Sequence, residues 1–544
     1  MDRGYNKDRS LDQIARDYFN YLGCHLPQHC ANDEFYFLPR SGAAIEHLNT
    51  LDDLSPEKIQ DHLGYVKGLL SEMQAAESDD LEKEIDRLLL RQSMEGFIRE
   101  FDDARVWRSD PTLYVKIPLL ATDQVLSQRD GPLDQIKEDL STLFGQIPSF
   151  LTLGIKNLLS PSEISLQVAL EMAQDAYHFY DREIWPLIVE KMGEDKELLI
   201  KNKKVLEAWE RFKTDLLHLA SRNSFAIGED GLKKILGISL SYPKSPSEIL
   251  EIAQCAYLKT QEKLRALARK IDSCKTWNLI IYEQLPTVSS PAEVMQLFQK
   301  EIKNLRRFFY SQDVVPFPSQ EKLTVLQTPS YLQSVRATAS YRAPLTGNTK
   351  GHGIFYITPG KGDLGLISAH CPYLSAHETY PGHHILDYLR IHHSNPIRRQ
   401  IESPLFYEGW ACYAEQLLDE LGYIKDPRQQ VIGLKRQLWR ILRSILDVNL
   451  HTARMTLKEA AKEIENLGFS PQRAQRQVRR FVLTPGYQSC YFMGSHEILR
   501  LRERFALTAG LRTFHDILLG GGQLPFHLLE RRLETAVGGK NIEI

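Results

Sequence analysis

Apolar residues recur at i, i+3, i+4 and i+7 through most of the chain, the spacing of helices that bury one face. It is plain in L-D-Q-I-A-R-D-Y-F-N-Y-L (11–22), in L-E-K-E-I-D-R-L-L-L (81–90) and from Ser160 to Trp185. S-P-S-E at 160–163 predicts a helix start, with Ser160 as cap, Pro161 in the first turn and Glu163 closing a capping box. S-P-S-E returns at 245–248 and S-P-A-E at 290–293, each ahead of another helical stretch. The residues that follow do not match, so this is shared punctuation and not a repeat.

Strand-like text is rare. G-I-F-Y-I-T-P (353–359) and A-T-A-S-Y-R (337–342), joined by the turn-rich A-P-L-T-G-N-T-K-G-H, predict a short antiparallel edge hairpin. Beyond residue 375 the pattern is helical again, which predicts a mainly α protein. A soft boundary falls near 305–320. Residues 1–135 form a helical region without a motif, 136–310 a further helical part, and 311–544 the part with the candidate chemistry, all read as one continuous structural unit.

Composition narrows the functional classes. Of 544 residues, 42% are hydrophobic and 25% charged, as in a soluble globular protein. The formal net charge is −3, from 67 basic and 70 acidic residues, without the basic surplus of a nucleic-acid binder. Seven scattered cysteines include no C-x-x-C pair, which excludes a zinc ribbon or a disulfide framework and suits reduced thiols in a cytoplasm. The first residues, M-D-R-G-Y-N-K-D-R-S, lack an apolar core, so no signal peptide is expected. No apolar run approaches the ~20 residues of a spanning helix, so no membrane partner is expected either.

Against this background S-A-H-E-T-Y-P-G-H-H-I-L-D (375–387) stands out. In H-E-x-x-H, histidines at i and i+4 share one helical face around a metal. Here Pro381 occupies the second position and His383 and His384 follow it. A bland reading exists: Ser375 with Glu378 is itself a capping-box spacing at a helix start. Pro381 removes the hydrogen bond to the His377 carbonyl, so the helix must bulge or restart, and Gly382 gives the backbone room. Spacing alone leaves His383 and His384 as alternatives. Downstream, E-S-P-L-F-Y-E-G-W-A-C-Y-A-E-Q-L-L-D-E-L-G (402–422) predicts a helix capped by Ser403 and ended by Gly422. Glu408 sits in it among apolar residues, and a buried carboxylate there needs a metal, a histidine or an arginine such as Arg443 as partner.

H-E-T-Y-P-G-H-H followed by F-Y-E-G-W-A-C-Y-A-E resembles the bacterial domain of unknown function 885 family, whose pattern is H-E-x-x-P-G-H-H and then E-G-W-A-x-Y-x-E. L-D-V-N-L-H (446–451) and T-P-G-Y-Q-S-C-Y-F-M-G-S-H-E-I-L-R-L-R (484–502) fit its later elements. The resemblance covers roughly residues 140–535, is specific from 377 to 502, and finds nothing in the first 130. The family is similar, distantly, to helical gluzincin zinc peptidases such as thimet oligopeptidase, angiotensin-converting enzyme and thermostable carboxypeptidases. This implies a multi-helical body with a deep central cleft and a short edge sheet beside the active-site helix.

The resemblance further implies zinc held by His377, His383 and Glu408, with Glu378 as general base for hydrolysis of short peptides. His451 and Tyr491 are then the oxyanion donors and Arg500, or Arg502, the anchor for a substrate carboxylate. Glu415, with Asp387 as runner-up, would orient a ligand histidine, and strand 353–357 would pair with substrate backbone beside Gly351 and Gly353. The alternatives are a metal-dependent hydrolase of another small amide or modified amino acid, or a relative that binds peptide or metal without turnover. Retention of Glu378 argues against the last.

Overall fold

In a computed structural model of the chain, residues 9–73, 80–128, 132–328, 338–346, 348, 352–359 and 364–538 are described. Among the described residues helices dominate, with one three-stranded sheet, so the mainly α class read from periodicity holds. Ser245 and Ser290 cap the helices Pro246–Ile271 and Pro291–Gln312 as their sequences predict. At 160–163 the start slips: Ser162, not Ser160, caps Glu163–His178 by accepting from the Ser165 amide. The cause is a bridge to Arg222, whose N–H donates to the Pro161 carbonyl at 2.9 Å while its carbonyl accepts from the Glu163 N–H at 3.0 Å. Pro161 and Ser162 must stay extended to make it.

Two compact units divide the chain. One takes residues 1–225, 345–349 and 395–402. Its helices close over Ile14, Tyr18, Phe97, Phe144, Trp209 and Phe212, all at most 1% exposed. Within it the 395–402 segment is tied back by Arg398 and Asn395, both donating to Asp86 at 2.6 Å. Burying that carboxylate is tolerable because both of its oxygens are used.

The other unit takes residues 226–344, 350–394 and 403–544. Its centre is the crossing of helix Pro404–Glu420 over helix Tyr487–Ala509. A Cβ at Gly494 would lie 1.9 Å from the Leu405 carbonyl oxygen, and one at Gly409 would lie 2.5 Å from Gly494 Cα. Only glycine at both positions lets these backbones touch. A similar approach brings helix Pro427–His451 in: a Cβ at Gly433 would meet the Tyr373 hydroxyl at 2.6 Å.

Tyr373 in turn donates to Asp419 at 2.9 Å. Burial pushes the Asp419 carboxyl up to about 6 despite that bond. Because the folded value lies above the unfolded one, stability from the neutral acid is present below about pH 4 and is lost as pH rises toward 6. Asp419→Asn is therefore expected to raise the melting temperature at pH 7.5, by on the order of 1–2 kcal/mol of stability, and to give no gain at pH 4. Thermal unfolding at the two pH values checks it; an equal shift at both would sink it.

The sheet comprises β1 (Leu323–Gln327), β2 (Ala339–Arg342) and β3 (Gly353–Ile357), in the order β1-β3-β2. β2 and β3 pair antiparallel, as the hairpin reading expects, but β1 adds in parallel on the far side of β3. This corrects the assignment of 353–357 as a peptide-pairing edge: β3 is central, with both sides already bonded. The space over Gly353 is likewise filled, since a Cβ there would meet the Tyr341 hydroxyl at 2.6 Å and His384 Nδ1 at 2.7 Å. Gly351 lies outside the described residues. Among the described residues no helix is long and apolar enough to cross a membrane.

Candidate metal centre

His377 and Glu378 close a helix and do not open one. The helix is Cys371–Glu378, with Pro372 in its first turn, so Ser375 is internal and the capping-box reading of Ser375 with Glu378 fails. Beyond Glu378 the chain folds back on the last turn, where Gly382 N–H donates to the Ala376 carbonyl at 3.0 Å. A Cβ on Gly382 would sit 1.9 Å from the His377 carbonyl oxygen, so glycine is required. The next helix starts at His383. Trp410 Nε1 donates to the Pro381 carbonyl at 2.8 Å and fixes the turn to the helix that carries Glu408.

At the start of this new helix the neighbouring histidines point apart. His383 Nε2 lies 3.7 Å from Glu408 Oε2, and His377 Nε2 lies 3.6 Å from the same oxygen. The three donor atoms all fall within 4.8 Å of one another, and all three residues are buried. Tetrahedral ligands about 2.0–2.1 Å from a zinc ion would be separated by about 3.3–3.4 Å. His384 faces elsewhere: its Nε2 meets Glu321 Oε2 at 2.8 Å. The trio fits a divalent cation on a second count, because Glu408 Oε2 is buried with no hydrogen-bond partner. A buried carboxylate oxygen is costly unless a donor or a cation meets it.

Electrostatics point the same way. Burial would raise the Glu408 carboxyl, but His377 and His383 outweigh it and hold it well below the usual carboxylate range. Burial would lower the His377 imidazole, yet Cys412, Glu408 and Glu415 raise it well above its ordinary value. The pocket favours an added positive charge.

Behind the trio, Glu415 Oε1 faces His377 Nδ1 at 2.9 Å. Arg436 grips Glu415 through two bonds of 2.7 Å, and Arg440 adds another at 2.8 Å. Burial notwithstanding, these arginines keep Glu415 ionised, with its carboxyl well below the ordinary range. A carboxylate on Nδ1 fixes that nitrogen as the donor, so that the neutral imidazole carries its lone pair on Nε2, on the side of Glu408. Asp387 acts at one remove: it accepts from the Tyr407 hydroxyl at 3.1 Å, and the Tyr407 ring stacks on His383 at 3.9 Å.

Glu378, half-buried at the helix end, accepts from the Tyr341 N–H on the outer side of β2 at 2.9 Å. Tyr491 is next to Glu408, and burial, then the carboxylate, push its phenol far up, so it stays protonated. The Arg443 guanidinium lies 3.5 Å over the Tyr491 ring and donates to Gln488, so Arg443 is not the partner of Glu408.

Three predicted site residues have partners of their own. His451, fully buried, has Nε2 against the Phe481 carbonyl at 3.2 Å and beside Asp447 at 3.7 Å. Asp447 itself accepts from the Gly486 and Ser489 amides, both at 3.0 Å, and so caps the helix that carries Tyr491. Arg500 is engaged by Glu497 and Glu530, and Arg502 by Glu420. Both arginines are thus ion-paired with carboxylates of the chain itself.

Sequence reasoning misses Tyr487, whose hydroxyl donates to Glu408 Oε1 at 2.6 Å, and the Arg436–Arg440 pair. Tyr487 and Tyr491 are one helical turn apart, a spacing that could have flagged both.

Fold and site together define a mainly α protein with a buried His–His–Glu cluster on broken and crossing helices. The chain belongs to a family of bacterial proteins of unknown function, DUF885, which matches residues 40–533. It is similar to two solved structures, each described as a "putative lipoprotein". For the one from Colwellia psychrerythraea the TM-score is 0.81 at 18% identity, covering 97% of this chain and 99% of that one. For the one from Shewanella oneidensis, of unknown function, the score is 0.77 at 18% identity, covering 96% and 99%. An M32 carboxypeptidase from Deinococcus radiodurans R1 scores 0.40 at 11% identity over 97% and 95%, too distant to say anything of the site. No curated protein matches the chain.

Proposed function

We propose that the protein is a metal-dependent hydrolase of amide bonds in short peptides, with zinc as the ion its nitrogen and oxygen donors suit. The observation that carries this reading is the convergence of His377 Nε2, His383 Nε2 and the unpartnered Glu408 Oε2, with the carboxylate of Glu378 next in chain to His377. A divalent ion held by the trio would supply Lewis acidity to the amide carbonyl under attack. Glu378 takes the proton from the attacking water and returns it to the departing amine. The Tyr491 phenol, kept protonated by its surroundings, donates a hydrogen bond to the developing oxyanion. Tyr487 holds Glu408, and Glu415 holds His377, so the donors stay aimed without rearrangement. Seven free thiols suit a reducing compartment, and we place the activity in the cytoplasm.

The test is hydrolysis of fluorescence-quenched short peptides by zinc-loaded protein. Cleavage that a chelator abolishes and added zinc restores is expected; no cleavage of any peptide in a broad panel overturns the reading. Glu415→Gln is expected to weaken metal affinity by about 10- to 100-fold, measured by chelator competition, since a neutral amide there could no longer ion-pair with the imidazole. An unchanged affinity would remove Glu415 from the design.

A further inference from the structure

A second site lies at the opposite side of the sheet from Glu378. Gly353 N–H donates to the Lys322 carbonyl and Thr328 N–H to that of Ile357, so the even-numbered residues of β1 face β3. Leu323, Val325 and Gln327 therefore turn their N–H and C=O groups outward, and among the described residues nothing pairs with them. An open strand edge is a template for another strand.

Between this edge and helix Pro291–Gln312 is a cavity of about 840 Å³. Its walls carry Lys303, Arg306 and Lys322 against one carboxylate, Glu321. That carboxylate is spent: it accepts from Arg306 at 2.7 Å, Tyr380 at 2.7 Å and His384 at 2.8 Å. Lys303 and Lys322 have no acidic partner among the described residues. None of the residues His377, Glu378, His383 or Glu408 lines the cavity.

We propose that this groove docks an extended peptide segment with acidic side chains at alternate positions, added as a fourth strand on the free side of β1. Backbone pairing with Leu323, Val325 and Gln327 would supply affinity and register. Every second side chain of the added strand points to one face, repeating at about 6.8 Å, and Lys303 and Lys322 on the walls offer it cations that no described carboxylate holds. The net positive lining selects Asp and Glu over Lys and Arg.

The test is fluorescence anisotropy on the full chain with a labelled Glu-Val-Glu-Val-Glu-Val peptide, free of added metal so that the result does not depend on the hydrolase reading. Saturable binding that weakens with salt is expected, absent for Lys-Val-Lys-Val-Lys-Val. Lys303→Glu with Lys322→Glu should weaken it by roughly tenfold or more. Val325→Pro removes one outward N–H at an edge position where proline is tolerated, and should weaken it similarly. Of the two peptides N-methylated on alternate residues, the one whose methyls face β1 makes a like cut without altering the protein, and should bind poorly while the other binds. Failure of the acidic peptide to bind, or equal binding of the lysine peptide, overturns the proposal. So does full affinity of both N-methylated registers, with inorganic phosphate competing, which would reduce the groove to a simple anion site. A chain that sediments as a dimer, and as a monomer once Val325→Pro is made, would assign the edge to self-pairing and overturn it too.

Discussion

Protein with alanine in place of His377 is expected to lose the divalent ion that the wild type retains. Elemental analysis after desalting should give about one ion per wild-type chain and close to none in the variant. Two donors remain at Glu408 and His383, but the loss goes beyond one bond. Glu415, pinned by Arg436 and Arg440, would have no imidazole to orient, and Glu408 Oε2 would lose one of the two rings that face it. The companion variants decide between neighbours. His383→Ala should lose the ion, whereas His384→Ala should keep it, because His384 is bonded to Glu321. The reverse outcome, or a wild type that carries no ion and takes up none, would overturn the assignment of the trio.

The second large effect is expected from Glu378→Gln. The amide oxygen of glutamine can still accept from the Tyr341 N–H, so the local fold and the ion should be retained. What is lost is the base: turnover should fall by about 10²- to 10⁴-fold with little change in KM. Retained metal with lost cleavage would separate catalysis from binding. Unimpaired cleavage would show that the proton goes elsewhere.

Much of this centre is legible in the chain. H-E at 377–378, a helix break at Pro381-Gly382 and a glutamate on the following capped helix can be read because each depends on residues near in sequence. Pro381 cannot continue a helix, and a Cβ at position 382 collides with a carbonyl five residues back. The Ser403 cap with Pro404 sets the start of the helix that carries Glu408. The capping-box reading of Ser375 fails because the helix has already begun at Cys371, with Pro372 in its first turn. The strand β1 escapes a sequence reading because five residues within a boundary segment give too little periodicity, and its partner lies thirty residues away.

Arg500 shows another limit. Sequence cannot tell an arginine that is free from one already held, and Glu530, a helix away, holds this one. His451 illustrates the same point: the D-x-x-x-H spacing is recognisable, but its work is done against Phe481 and at the start of the helix Tyr487–Ala509.

By itself, then, the sequence determined the helical class, the helix starts at Ser245, Ser290 and Ser403 and the residue types available around position 380, since caps, turns and periodicity act over a few residues. Only the tertiary structure decided which of two adjacent histidines meets Glu408. Neighbouring side chains on a helix point about 100° apart, so one choice sends His383 toward Glu408 and His384 toward Glu321. That choice is made by partners at positions 321, 408 and 410, brought together by packing and by the glycines that let their helices touch.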